Sequence, residues 1–129
     1  MEGRQLEGRH TMAEKDEAEL EAGRRYIESA MEDDDIIYTA TQIFDALSDY
    51  TRFQILCALS ISDRSVSELQ DICHVSQSAI SHQMRLLRDR GIVAARRDGQ
   101  RVCYSLDDDH VRTLIRVGLE HAGHIQCEG

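Results

Sequence analysis

The chain has 129 residues, a formal net charge of −9, 41% hydrophobic residues, four cysteines and no proline or tryptophan. That length supports one small domain with an added arm, and the absence of any apolar run of roughly 18 residues excludes a membrane-spanning helix. The opening residues MEGRQLEGRHTM lack the apolar stretch of a secretory leader, while Cys57, Cys73, Cys103 and Cys127 form neither a C-x-x-C pair nor a tight framework, which together predict a reduced, cytoplasmic setting.

The acidity is unevenly placed. Residues 1–35 carry twelve acids and five bases, whereas residues 76–101 carry six arginines against Asp89 and Asp98. A local basic patch governs docking to a polyanion more than the global sum does. Residues 1–35 are therefore read as an acidic arm, partly helical or disordered, with Tyr26, Ile27, Ala30 and Met31 as a short apolar stripe. Residues 36–129 are read as the folded domain.

From Asp35, the residues Ile36, Ile37, Ala40, Ile43, Phe44 and Leu47 recur at helical intervals, giving an apolar face too wide for a surface helix. A second helix follows Ser48 or Asp49 through Phe53, Ile55, Leu56, Cys57 and Leu59. Ser65-Val-Ser-Glu68 is a capping box that opens a short helix. Past Cys73-His74-Val75, Ser76 caps the next one, SQSAISHQMRLLRDR, which Gly91 ends. Two short helices and a tight turn predict a helix-turn-helix. In its second helix Ile80, Met84 and Leu87 point inward, leaving Gln77, Ser78, Ser81, His82, Arg85 and Arg88 outside. Short polar side chains followed by arginines suit a helix that enters a major groove, the first group at base edges and the second at phosphates.

Two β-prone runs then flank Asp98-Gly99, a strong hairpin signal, with Arg96, Arg97 and Arg101 near the tip. A basic ribbon directly after such a helix reads as a wing that follows the phosphate backbone or the minor groove of double-stranded DNA.

The last stretch holds three of the six histidines, as Asp108-x-His110 and His121-x-x-His124. A helix capped by Asp107 and running to about His124 would place His110 and His121 on one face, yet roughly 16 Å apart at 1.5 Å per residue. Zinc ligands lie about 2 Å from the metal, so one helix cannot bring both pairs to one ion. Two copies packed antiparallel about a two-fold axis can, with Asp108 and His110 of one chain meeting His121 and His124 of the other. The expectation is two inter-subunit sites for Zn(II) or Co(II) per homodimer, built on the apolar faces of the first and last helices of the domain. Such a closed ligand set leaves no position for a reactive water, so no enzyme and no small organic substrate is expected.

The stretches ALSDYTRFQIL, VSQSAISHQMRLLRDRGIV and RRDGQRVCYSLDDDHV, followed by the histidine-bearing helix, resemble the ArsR/SmtB family of bacterial winged-helix metal-sensing repressors over residues 36–124. The resemblance implies a mainly α fold with a β-hairpin wing, operator binding by the apo dimer, and release on binding zinc or cobalt. It carries the ligand role to Asp108, His110, His121 and His124, and implies that metal-bound His121 reaches the backbone carbonyl of Gly91 as an allosteric relay. The family's paired-thiolate motif is missing from SVSELQDI. The alternative is a winged-helix repressor that senses thiol oxidation at Cys73 or Cys127, or another metal such as nickel or cadmium, with any zinc structural. His10 and Cys127 stand as candidate extra donors.

Overall fold

The computed structural model describes residues 2–128, with side chains described for residues 14–127; His10 lies outside the described side chains. The chain divides into two compact units, one through Thr41 and the other Gln42–Gly129.

The first unit holds α1 (Glu2–Met31) and the start of α2 (Asp34–Leu47). Where composition left the arm between partly helical and disordered, α1 is one continuous helix of 30 residues, rich in good helix formers. Arg24 ties its surface to Glu21 at 2.9 Å and Glu28 at 3.7 Å, at helical spacing. Leu20, Tyr26, Ile27 and Met31 are all exposed. Asp33 caps α2, its Oδ1 accepting from the N–H groups of Asp35 and Ile36.

The second unit continues through α3 (Tyr50–Ile61), β1 (Arg64–Ser65), α4 (Val66–Cys73), α5 (Gln77–Asp89), β2 (Val93–Asp98), β3 (Arg101–Leu106) and α6 (Asp109–Glu128). Its core is formed by Ile55, Leu56 and Leu59 of α3, Leu69 of α4, and Ile80, Met84 and Leu87 of α5, all without solvent exposure. Among the described residues of α6, Val111 and Ile115 are buried beside them.

Caps explain the helix boundaries. Asp49 accepts from the Arg52 N–H at the start of α3, and Ser76 from the Ala79 N–H at the start of α5. The tight turn between α4 and α5 is made by His74, left-handed at φ 57°, a conformation in which histidine is among the better-tolerated side chains. At the end of α5 the Gly91 N–H donates to the Arg88 carbonyl and the Ile92 N–H to the Leu87 carbonyl, a Schellman closure that needs the positive φ of 70° at Gly91.

Two details differ from sequence expectation. The hairpin loop is Gly99-Gln100 and not Asp98-Gly99, because Asp98 pairs with Arg101 across the ladder and Gly99 takes a φ of 66° at the first loop position. The sheet also has three strands, in the order β1-β3-β2 and antiparallel throughout, since Arg64 pairs with Tyr104 and Ser65 with Cys103.

Ser65 thus serves two elements. Its hydroxyl accepts from the Glu68 N–H at 3.3 Å while the Glu68 carboxylate accepts from the Ser65 N–H at 3.1 Å, completing the capping box. The same carboxylate and hydroxyl accept from Arg101 Nη2 of β3 at 2.8 and 2.9 Å. The Ser65 backbone N–H first, then its hydroxyl, hold the Glu68 carboxyl below the usual range, helped by Arg101. A depressed carboxylate stabilises the fold above its ordinary pKa, and that contribution disappears as pH falls through the lowered value. Ser65→Ala removes the N-cap of α4 and should cost about 1 kcal/mol at neutral pH in urea unfolding. The variant's midpoint should also fall less steeply than the wild type's as the pH drops below the ordinary glutamate range, and parallel acid profiles would contradict this role.

Candidate functional site

The helix-turn-helix places its second helix with one face in the core and the other in water. Opposite buried Ile80, Met84 and Leu87, the side chains of Gln77, Ser78, His82, Arg85 and Arg88 are exposed and Ser81 is half-buried. The polar residues occupy the N-terminal turns, where Ser76 and Ser78 hydroxyls lie 3.2 Å apart, and the arginines follow. A shallow groove of about 360 Å³ lined by His82, Arg85, Leu86, Asp89 and Arg90 runs beside them. Helix-borne base-edge readers with cations behind them are what direct readout in a major groove requires.

The wing arginines differ from one another. Arg96 pairs with Asp63 at 2.6 Å and Arg101 with Glu68 at 2.8 Å. Arg97 is exposed on β2. The paired guanidinium groups remain 56% and 60% exposed. Ion pairs so open to solvent are weak and can be exchanged for phosphates. Sequence reasoning placed all three arginines near the tip but had no signal for these partners, which are about thirty residues away in the chain.

Asp108, His110, His121 and His124 all lie on or beside α6. The cap is Asp108 and not Asp107, since Asp108 Oδ1 accepts from the Val111 N–H at 3.2 Å. Three consecutive aspartates made the choice invisible in sequence. The helix also runs past His124 to Glu128, which puts exposed Cys127 on it. Asp108 keeps Oδ2 towards His110 Nδ1 at 3.7 Å, with His110 almost wholly in solvent. Farther along, the His121 and His124 rings stack with centroids 6.5 Å apart. The two pairs are separated by three helical turns, and among the described residues no three His, Cys, Asp or Glu side chains gather as a metal ion needs. One carboxylate and three imidazoles fit tetrahedral zinc or cobalt, provided that the pairs come from two chains.

Apolar side chains are also exposed on α2 and, separately, on α6. Ile36, Ile37 and Phe44 of α2 and Leu114, Val117 and Ile125 of α6 are exposed, and a Cβ placed on Gly118 would meet open space. An open groove of about 590 Å³ between α3, α4 and α6 is lined by Tyr50, Phe53, Cys57, Ile61, Ile72 and Leu119. Burial pushes the Cys57 and Cys73 thiols up, which disfavours the reactive thiolate. No helix among the described residues is long and apolar enough to cross a membrane.

A core-anchored helix with a polar outer face, followed by a basic β-hairpin, defines a winged helix-turn-helix DNA-binding protein. A family model described as "Bacterial regulatory protein, arsR family" matches residues 49–95. The chain is 41% identical over 80 residues to the "Transcriptional repressor SmtB homolog" of Synechocystis sp., covering 62% of this chain and 61% of that protein. It is 37% identical over 89 residues to the "Cadmium resistance transcriptional regulatory protein CadC homolog" of Staphylococcus aureus, covering 68% of this chain and 74% of that one. Among solved structures, HlyU from Vibrio cholerae matches with a TM-score of 0.60 at 35% identity, covering 62% of this chain and 87% of the other. The chain belongs to the arsR family of bacterial regulatory proteins, which are transcriptional regulators and not enzymes.

On this interface each exposed arginine that reaches a phosphate releases counterions. Arg85→Ala and Arg97→Ala should each lower the slope of log affinity against log salt by about 1 and weaken binding similarly on all duplexes. An unchanged slope would remove that residue from the backbone contacts.

Proposed function

We propose that this chain is a metal-responsive transcriptional repressor whose apo homodimer holds operator DNA and releases it when zinc or cobalt binds at two inter-subunit sites. The observation that carries the reading is the division of ligands on α6. Asp108 and His110 stand at its start, and His121 and His124 three turns later. Neither pair suffices alone, and each is complemented by the other in a second, antiparallel copy. The exposed apolar residues of α2 and α6 support such pairing. The arsR-family membership and the names of the SmtB and CadC homologs support repression and response to a metal.

In the apo state each protomer would present α5 to one half-site and the β2–β3 wing to the flanking backbone. Bound at the proposed sites, the metal supplies a cross-link between protomers that favours one dimer shape over another, and coupling of that kind typically amounts to about 1–3 kcal/mol. His121 would then donate its remaining ring N–H to the carbonyl of Gly91, the residue that closes α5. Asp108 would serve twice, Oδ1 capping the start of the helix and Oδ2 facing His110.

Fluorescence anisotropy on DNA upstream of its own gene tests this. Zinc should release the wild type, fail to release the His110→Ala/His124→Ala variant, and bind His121→Gln without releasing it. Since imidazole ligands must be neutral, metal affinity should also weaken from neutral to mildly acid buffer. Wild-type binding that ignores zinc would end the metal reading.

A thiol-sensing alternative draws on the solved "Reduced HlyU from Vibrio cholerae N16961", 35% identical to this chain. Here Cys73 is buried and its thiol raised, whereas Cys127 is exposed on α6. Replacing all four cysteines by serine while zinc still releases DNA would dismiss it.

A further inference from the structure

The end of α2 and the end of α5 are joined by two arginines that no element of the DNA or metal reading uses. Arg90, the C-cap residue of α5, donates from Nη1 to the Gln42 carbonyl at 3.0 Å and to Asp45 Oδ2 at 2.8 Å. Arg52 of α3 donates from Nε to the Ala46 carbonyl at 2.9 Å, from Nη2 to the Asp45 carbonyl at 3.3 Å, and from Nη1 to Gln83 Oε1 of α5 at 3.3 Å. Two cations thus satisfy carbonyls at the negative end of the α2 dipole, and both lead to the recognition helix.

The Arg90 side chain is only 25% exposed, so its pair is better shielded than those of the wing. Arg90 also holds the Asp45 carboxyl below its usual range, with a further contribution from Arg52. A guanidinium that meets a carbonyl and a carboxylate at once is fixed in direction as well as in distance. It lies one residue before Gly91, where α5 turns into the wing.

We propose that Arg90, through Asp45 and the Gln42 carbonyl, is a positioning residue that sets the angle of the recognition helix against α2. Dimer geometry at α2 would thereby be passed to the spacing of the two DNA-reading helices. This rests on the repressor reading for the place of α2 in the dimer, but not on the metal.

Specific binding by a dimer needs both recognition helices at a fixed spacing, whereas non-specific binding needs charge alone. Loss of the strut should therefore lower the ratio of specific to non-specific affinity while leaving the wild-type charge requirement in place. The test uses the full-length protein, a duplex selected by the wild-type apo protein from a random pool, and an unselected duplex of equal length. Arg90→Met and Asp45→Ala change net charge in opposite directions, so a purely electrostatic effect on DNA affinity would have opposite signs. The strut instead predicts that both lower the specificity ratio, each by about tenfold.

The exchanged pair Arg90→Asp/Asp45→Arg should recover most of the ratio, which general destabilisation would not do. Arg90→Lys, which keeps the charge on a shorter side chain without the rigid planar guanidinium, serves if the larger changes prevent folding, and it too should lower the ratio. Ratios equal to wild type in folded variants, or opposite shifts in the two single variants, would overturn the proposal. Zinc affinity should be unchanged in every variant. A wild type that ignores zinc would defeat the metal reading and leave the strut to be judged by the same ratios.

Discussion

The stiffness of one α-helix sets how far apart the side chains along it must stay. Asp108 and His110 stand at the start of α6 and His121 and His124 towards its end, and the rise of the helix separates the two pairs by roughly three turns. No side-chain rotamer closes such a gap. The chain must therefore leave the pairs apart or recruit a second copy, and the apolar side chains that α2 and α6 leave in water favour the second course. Among its described residues, the same helix buries Val111 and Ile115 against its own domain, leaving most of its circumference for other uses.

Local chemistry made much of the fold legible. The Ser65–Glu68 capping box, the Ser76 cap, the period of Ile80, Met84 and Leu87, and Gly91 at the close of α5 are each short-range signals, and each corresponds to a hydrogen bond or a buried face. Readings failed where several equivalent residues competed or where a partner was distant. Asp107, Asp108 and Asp109 all qualify as caps, and only the geometry selects Asp108. A strand of two residues, Arg64–Ser65, has no period to detect and exists because β3 offers it an edge.

The same distinction runs through the candidate site. The outward residues of α5 follow from its inward ones, so periodicity was enough to find them. The partners of Arg96, Arg101 and Arg90 are 33, 33 and 45 residues away, beyond the reach of any local pattern. The spacing of Asp108, His110, His121 and His124 is legible in sequence because those residue types at those intervals have a chemistry of their own, whereas what a second chain would add to them lies outside the fold of one.

Hydrophobic side chains left open on a single chain also tie the protein's behaviour to its own abundance. If a second copy covers Ile37, Phe44, Val117 and Ile125, folding and pairing share one free energy, and the melting temperature rises with protein concentration. Dilution as a cell grows and divides would then thin the population of paired molecules faster than it thins the chains themselves. Control would slacken in a scarce protein before any metal arrives.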